Sequence, residues 1–122
     1  MVATLVALHL GLALLGRTPA EVRARLGPPA SIERYPVRRD FRYRRYEVIF
    51  GDGRHVTAFL ATPTARPAAV RATLARVGTL RETRRYRCDA KGCFGLFVLQ
   101  GKRRRVIYGL NRGKPYLGVQ TE

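Results

Sequence analysis

Two cysteines are the residues of this sequence whose type and spacing suggest a definite chemistry. Cys88 and Cys93 bracket the turn-like tetrapeptide Asp89-Ala90-Lys91-Gly92, which lies between two segments of strand-forming composition. The spacing suits a disulfide that closes a β-hairpin, and a single pair of cysteines fits an oxidising compartment. Two free thiols and a metal site are the alternatives. Zinc needs four ligands, and both histidines are distant in sequence. The spacing therefore favours a disulfide, and we expect no metal and no cofactor.

Residues for nucleophilic or acid–base catalysis are scarce. Ser31 is the single serine, and neither histidine has a carboxylate or thiol partner in a local motif. His55 follows the Asp52 turn and is predicted to be its solvated neighbour, because a single histidine seldom catalyses without an orienting group. The sequence has no glycine-rich phosphate loop and no metal-spacing motif. We expect no enzymatic activity, no catalytic residue and no small-molecule substrate.

Arginine dominates the charge of the chain. The net charge is +16, from 24 basic and 8 acidic residues. A field of this size attracts anionic partners such as nucleic acid, acidic lipid head groups and polyanionic glycans. Lys91, Lys102 and Lys114 are the only lysines, and an arginine-rich codon usage produces the same bias without selection for binding. The net charge is therefore weaker evidence for an anionic partner than its value of +16 alone would indicate.

The arginines occur in clusters, some of them interleaved with tyrosine. The candidate surface for an anionic ligand or partner consists of Arg42, Arg44, Arg45, Tyr46, Arg84, Arg85, Arg87, Arg103, Arg104 and Arg105. On a continuous strand, alternation would place Arg42, Arg44 and Tyr46 on one face. Arginine with interleaved tyrosine is typical of single-stranded nucleic-acid surfaces, which use phosphate contacts and base stacking. A solvated sheet face has the same composition, so both interpretations stay open.

An apolar run occupies the N-terminus. Val2 to Gly16 carry one histidine and no charged residue. The run is too short for a membrane-spanning helix, which needs about 20 residues. Its length suits the apolar core of a secretory signal, although the usual preceding basic residues are missing. The alternative is a buried helix with leucines at helical spacing. A signal predicts a periplasmic or secreted protein, whereas a core helix predicts a cytoplasmic one.

The sequence contains two diverged copies of one module. Residues 18–26 align with 66–74 through shared Pro, Ala, Val, Arg, Ala and Leu. Residues 48–60 align with 98–110 through shared Val, Gly, Arg, Val and Leu. The blocks occur in the same order in both copies. We therefore predict three segments, listed here by number: a signal-like or anchor segment over 1–16, a first repeat over 17–61 and a second over 66–122.

Each copy opens with a short helix and continues with strands. Thr18 and Glu21 form a capping-box pattern, Pro19 and Pro67 suit a first helical turn, and Gly27 suits a helix end. A chain of 122 residues buries one modest core, so the copies must share it. The predicted fold class is α+β, an antiparallel sheet with short helices on one face and two diverged repeats sharing a core. The predicted strands are Ile32–Val37, Arg42–Phe50, Arg54–Ala61, Thr79–Cys88, Cys93–Gln100 and Arg104–Leu110, with hairpin turns at 51–53 and 100–102 and an edge strand at Pro115–Val119.

A family resemblance is carried by Gly16 to Val22, Leu26 to Pro29, Tyr43 and Val48 to Val56. These segments resemble the module of the small outer-membrane-assembly lipoproteins and of the β-lactamase-inhibitor proteins. That module has a G-x-T-x-x-x-V-x-x-x-L-G-x-P helix, an aromatic first strand and a strand ending in an Asp-Gly turn, and the inhibitor proteins are tandem repeats of it. The resemblance implies export and a sheet used as a binding surface, with no catalytic residues. The cysteine that anchors such lipoproteins is absent.

These observations favour an exported, non-enzymatic binding protein that is envelope-associated or inhibitor-like. Its expected partner is another protein or an anionic envelope component, bound through a basic sheet face. A nucleic-acid-binding protein that uses the Arg/Tyr clusters is one alternative. A purely structural envelope protein is the other.

Overall fold

The structure, a computed structural model, describes residues 2–63 and 65–121. Over these residues it confirms the α+β class, with three helices and an open, eight-stranded antiparallel sheet. The helices are α1 (Val2–Leu14), α2 (Pro19–Leu26) and α3 (Pro67–Ala75). The strands are β1 (Ser31–Arg34), β2 (Arg39–Arg42), β3 (Tyr46–Phe50), β4 (Ala58–Ala61), β5 (Leu80–Asp89), β6 (Gly92–Leu99), β7 (Arg104–Asn111) and β8 (Lys114–Thr121).

The strands follow the order β1-β2-β3-β4-β8-β7-β6-β5 across the sheet. Helix α2 precedes β1 to β4, and α3 precedes β5 to β8, so each half of the chain places one helix before four strands. The last strands of the two halves, β4 and β8, pair at the centre of the sheet. The repeat and its boundaries stay a prediction from the sequence alignment.

Helix α2 has the termini that its sequence predicts. The Thr18 hydroxyl accepts a hydrogen bond from the Glu21 N–H at 3.3 Å, and the Glu21 carboxylate accepts one from the Thr18 N–H at 3.2 Å. The capping box is therefore confirmed. At the other end, Gly27 has φ 80° and its N–H donates to the Arg23 carbonyl. This backbone conformation favours glycine and ends the helix.

The helices α1 and α3 cover one face of the sheet, with α1 over β4 and β8 and α3 over β5 and β7. Gly11 lets α1 approach closely, since an added Cβ would lie 2.7 Å from Phe59 and 2.9 Å from Val119. Leu8 and Leu14 are buried in the same core. The apolar N-terminal run is thus a core helix in this structure. In the described part of the chain, no helix is long and apolar enough to cross a membrane.

The single strand predicted over 42–50 is wrong. The chain reverses between β2 and β3, and the N–H of Tyr43 donates to the Tyr46 carbonyl at 2.8 Å to close the turn. The reversal brings the Phe41 and Phe50 rings together edge to face in the core, with their centres 4.8 Å apart. Because residues 43–45 form a turn, the expected alternation along one strand does not occur.

Three other strand predictions need correction. The strand predicted over Ile32–Val37 ends at Arg34, because the chain turns back and the Tyr35 N–H donates to the Arg38 carbonyl at 2.9 Å. The segment Pro115–Val119 lies within β8, a central strand and not an edge strand, because Leu117 and Val119 are buried and pair on both sides. The strand predicted over 54–61 begins only at Ala58. Before it, the Asp52 carboxylate accepts hydrogen bonds from the backbone N–H groups of Arg54 and His55 and holds a loop.

Candidate functional site

The Cys88–Cys93 disulfide is present, as predicted. The two residues lie directly opposite each other near the tip of the β5–β6 hairpin, with their Cα atoms 3.9 Å apart. The Asp89 carboxylate accepts a hydrogen bond from the Lys91 N–H at 2.8 Å within the turn. Covalent and hydrogen bonds therefore hold this tip in one conformation.

His55 belongs to the loop that the Asp52 side chain organises. The expectation that neither histidine has a local carboxylate partner is wrong for His55. The Asp52 carboxylate lies 3.1 Å from the His55 Nδ1, and both side chains are more than half exposed. Hydrogen bonds from the His55 and Arg54 backbone N–H groups lower the pKa of Asp52 to about 2. Among the described residues, no three His, Cys, Asp or Glu side chains are grouped to hold a metal ion.

The sheet face opposite α1 and α3, the open face, carries a regular array of side chains. Strand pairing places residues in rows across the sheet, and alternation puts each row on one face. The middle row consists of Ser31, Arg42, Glu47, Leu60, Gly118, Ile107, Leu96 and Arg84. One flanking row consists of Glu33, Asp40, Ile49, Ala58, Gln120, Arg105, Val98 and Arg81. The other consists of Tyr116, Gly109, Phe94 and Arg87.

The centre of the open face is apolar. Leu60 and Ile107 meet above Gly118, where an added Cβ would lie 2.9 Å and 2.8 Å from their methyl groups. Leu96 and Val98 continue this surface on β6. These four apolar side chains are half-buried, and no helix of the described chain packs on them. The open face therefore offers an apolar surface that its own fold leaves uncovered.

Arginines border this surface on β5, where Arg81, Arg84 and Arg87 each lie opposite a β6 residue. The Arg84 guanidinium lies 3.6 Å from the centre of the Phe94 ring and 3.1 Å from the Asp89 carboxylate. Its side chain is only 18% exposed. The Arg84 side chain thus lies flat against the open face, whereas the side chains of Arg81 and Arg87 are exposed.

Acidic residues on the opposite side of the open face are engaged with arginine or buried. Arg42 contacts Glu33 at 3.0 Å, and Arg38 holds the buried Asp40 with two hydrogen bonds of 2.8 Å and 2.7 Å. Burial raises the pKa of Glu47. Across the described residues, ion pairs engage five of the 24 basic side chains. The remaining arginines and lysines give the surface its positive field.

A groove of about 600 Å³ opens at one end of this face, between the β2–β3 turn and the tip of the β5–β6 hairpin. We refer to it as the Arg44 groove. Its lining includes Arg42, Arg44, Arg45, Glu47, Leu60, Lys91, Phe94 and Tyr116. Arg44, Arg45 and Lys91 are exposed and have no ion-pair partner among the described residues. The groove therefore combines an apolar floor with unpaired cations.

The structure divides the predicted surface between two ends of the sheet. Arg42, Arg44, Arg45 and Tyr46 line the Arg44 groove. Arg84 and Arg87 lie near this end on β5, and Arg85 lies in the bulged segment between them. Arg103, Arg104 and Arg105 lie at the opposite end, at the β6–β7 turn and the start of β7.

Sequence reasoning missed Lys91, Phe94 and Tyr116 as groove residues. They lie on the β5–β6 turn, β6 and β8, and long-range strand pairing brings them together. The sequence offers only a weak indication that Phe94 lies on the open face. On β6, Phe94 and Leu96 alternate with Gly95 and Phe97, which are buried on the helix side. Without the strand order, that pattern does not show which elements share an end of the sheet.

The tyrosines of the Arg/Tyr clusters are occupied by packing. Tyr46 lies 5.2 Å from Phe59 between ring centres, and Tyr86 stacks on Tyr108 at 6.0 Å. The Tyr43 hydroxyl donates a hydrogen bond to the Gly27 carbonyl at 2.9 Å. These three rings pack against the core, so they do not form an exposed row on which successive bases could stack.

Comparison with known protein families, curated proteins and solved structures finds no significant match to this chain. The resemblance to the outer-membrane-assembly lipoproteins and the inhibitor proteins therefore rests on the sequence segments described above.

Proposed function

We propose that this chain is a non-enzymatic binding protein that holds an acidic protein partner on its open face. The observation that carries the proposal is the uncovered apolar surface around Leu60, Ile107 and Leu96, bordered by arginines. Protein interfaces combine an apolar core with a polar rim and are enriched in arginine. A net charge of +16 favours an acidic partner. The family resemblance, which implies a sheet used for binding, supports the same proposal.

A nucleic-acid partner fits the open face less well. Base stacking needs exposed aromatic rings, and the tyrosines of the basic clusters are engaged with Phe59, Tyr108 and Gly27. The basic clusters also lie at opposite ends of the sheet. What remains for nucleic acid is non-specific attraction of phosphates, which weakens steeply with salt.

We propose further that the protein works in an oxidising, extracytoplasmic compartment with α1 retained, because the disulfide outweighs the cytoplasmic location that a core helix alone predicts. The Cys88–Cys93 disulfide supports the compartment. The packing of Gly11 on Phe59 and Val119 supports retention, since removal of α1 would uncover both core residues. N-terminal sequencing of the mature protein, together with a thiol count, tests both points. A mature N-terminus after Gly16, or two free thiols, would contradict this proposal.

Binding is tested by nuclear magnetic resonance of methyl groups in the whole protein. The probe is a short soluble peptide of alternating Glu and Leu, and the control peptide has Gln in place of Glu. We expect saturable shifts of the Leu60, Leu96 and Ile107 methyls with the Glu peptide and much weaker shifts with the Gln peptide. The Leu74 methyls, buried on the helix side, report on changes elsewhere in the fold and should move little.

The affinity for single-stranded DNA is measured at the same ionic strength, for comparison with the affinity for the Glu peptide. If DNA binds more tightly than the Glu peptide, or if the peptide leaves the open-face methyls unmoved, the proposal is wrong. Leu96→Glu should abolish peptide binding because it places a negative charge in the apolar centre. Val6→Glu introduces the same charge at a half-exposed position of α1 and should bind normally.

A further inference from the structure

The Arg44 groove presents cations from two sides. Arg44 and Arg45 project from the β2–β3 turn, and Lys91 comes from the hairpin tip across the groove. These three side chains are exposed and lack an ion-pair partner among the described residues. Glu47 also lines the groove, and burial raises the pKa of its carboxyl. The excess of unpaired positive charge makes the groove complementary to an anion.

Both walls of the groove are held in place. The β2–β3 turn is closed by the Tyr43 N–H bond to Tyr46, and the Tyr43 hydroxyl ties it to Gly27. The opposite wall is held by the Cys88–Cys93 disulfide and by the hydrogen bond between Asp89 and Lys91. Fixed walls reduce the ordering cost of binding, because the backbone that carries the cations is already in position.

The floor of the groove differs from that of a simple phosphate site. Phe94, Tyr116 and Leu60 supply apolar surface, and the Tyr116 hydroxyl has no hydrogen-bond partner among the described residues. The volume of about 600 Å³ lies within the range of pockets that enclose small ligands or side chains. A ligand that fills this space needs an anionic head and an apolar neighbour.

We infer that the Arg44 groove is the specificity pocket of the open face and binds a partner carboxylate, that of a Glu or Asp beside an aromatic or aliphatic residue. The inference rests on the proposed function and adds the chemistry of the segment that is recognised. Arg44 and Arg45 contact the carboxylate, Lys91 closes the opposite side, and Phe94 and Tyr116 receive the apolar neighbour. Guanidinium groups suit this role because they bind carboxylates through paired N–H donors.

The test compares two variants that lose the same charge. The double variant Arg44→Gln/Arg45→Gln alters the groove, and Arg103→Gln/Arg104→Gln alters the opposite end of the sheet. Calorimetric titration at about 0.15 M salt uses a short peptide with one Glu between Phe and Leu, and a matched Gln peptide. We expect the groove variant to bind the Glu peptide at least about tenfold more weakly, down to the level of the Gln peptide. The opposite-end variant should change the affinity by less than about threefold.

The outcomes separate this inference from the proposed function. Equal losses in the two variants, while open-face methyls still shift, would show non-specific attraction and overturn the groove inference alone. Absence of methyl shifts with any acidic peptide would overturn both. Inorganic phosphate is titrated as a third ligand. The inference would also be overturned if phosphate binds in a way that depends on Arg44 and Arg45 and the peptide does not bind. Thermal unfolding controls for folding, since both arginines are exposed turn residues.

Discussion

Asp40 is a fully buried carboxylate on β2, and Arg38 compensates its charge. Two hydrogen bonds join the side chains, at 2.8 Å and 2.7 Å, while the Arg38 side chain stays 47% exposed. Arg38 also lies over the Tyr35 ring at 5.2 Å. A buried carboxylate that loses its partner keeps its desolvation cost without compensation. The pair therefore matters for the stability of the β1–β3 end more than surface ion pairs do.

We predict that Arg38→Gln lowers the free energy of unfolding by about 2 kcal/mol, less than for a fully buried pair because water screens the half-exposed Arg38. Urea denaturation monitored by circular dichroism measures the change. Arg34→Gln removes the same charge from an exposed position of β1 and should change the free energy by less than about 0.5 kcal/mol. Equal effects of the two substitutions would argue against a special role for the Arg38–Asp40 pair.

Glu47 is a residue at which we expect a substitution to stabilise the protein, by an amount that depends on pH. Burial raises the pKa of its carboxyl above 4.5, and the nearby Asp40 adds to the effect, while Arg42 opposes it. An acid whose pKa is raised by folding destabilises the protein above that pKa, and the cost disappears as pH falls toward the unfolded value. We expect Glu47→Gln to be more stable than the parent at pH 7, with the difference shrinking toward pH 4.5.

Thermal unfolding at several pH values measures this trend, and Glu21→Gln serves as a control of opposite sign. Hydrogen bonds from the Thr18 N–H and Arg17 lower the pKa of Glu21. Its contribution is present above the unfolded pKa and is lost as pH falls through the folded value. Glu21→Gln should therefore be less stable than the parent at pH 7. A pH-independent difference for Glu47→Gln would refute the first prediction.

The β7–β8 hairpin, like the β5–β6 hairpin, turns through a two-residue loop. Arg112 and Gly113 form a two-residue loop between the paired Asn111 and Lys114, with φ values of 53° and 78°. Two positive φ angles are the mark of a type I′ turn, which favours Asn-Gly. The Asp52-Gly53 pair, the stronger candidate in the sequence, instead lies in the longer loop before β4.

At Arg112 we predict a gain in stability. Arg112→Asn should raise the free energy of unfolding by about 0.5 kcal/mol, because asparagine tolerates the left-handed conformation better than other side chains do. Chemical denaturation measures the gain. Arg103→Asn, at an exposed turn residue without a positive φ, controls for the lost charge and should give no gain. A loss of stability in Arg112→Asn would contradict the strain argument.

The outer strands affect how the sheet can bind a partner. β5 has ten residues and register shifts on both sides of Arg84, while β1 has four residues. Bulges, charged side chains and short length are the devices by which edge strands avoid pairing with other chains. Binding by addition of a strand is therefore disfavoured at both edges. The partner that we propose would therefore bind on the open face.

At the scale of the whole molecule, α1 covers the junction between the two halves of the sheet. It lies over β4 and β8 and also contacts α3. Leu8, Leu14, Phe59 and Val119 share one core there. The helix thus buries apolar surface contributed by both halves, and neither half covers the junction by itself.

Gly11 tests how closely α1 must approach the sheet. Gly11→Val should lower the free energy of unfolding by about 2 kcal/mol, because even the first side-chain atom would lie within 2.9 Å of Phe59 and Val119. Differential scanning calorimetry measures the loss. Ala3→Val adds a β-branched side chain at an exposed position of the same helix and should have a much smaller effect. Helix propensity alone would make Gly11→Val more stable than the parent, so unchanged or increased stability would contradict the close packing on β4 and β8.

The sequence alone determined the features that depend on neighbouring residues. The capping box of Thr18 and Glu21 and the helix end at Gly27 follow from local backbone hydrogen bonding. The Cys88–Cys93 pairing follows from a short turn that brings the two thiols together. The α+β class follows from the alternation of helix and strand patterns along the chain.

Only the tertiary structure decided which distant segments meet. Strand order placed Pro115 to Val119 at the centre of the sheet, and core packing reversed the chain at 43–45. It also buried the apolar N-terminal run, whose composition predicts a signal or anchor segment with a core helix as the alternative. The Arg44 groove gathers side chains from six strands and from the β2–β3 and β5–β6 turns. Local preferences do not encode such contacts, because their stability comes from burial and pairing between residues far apart in sequence.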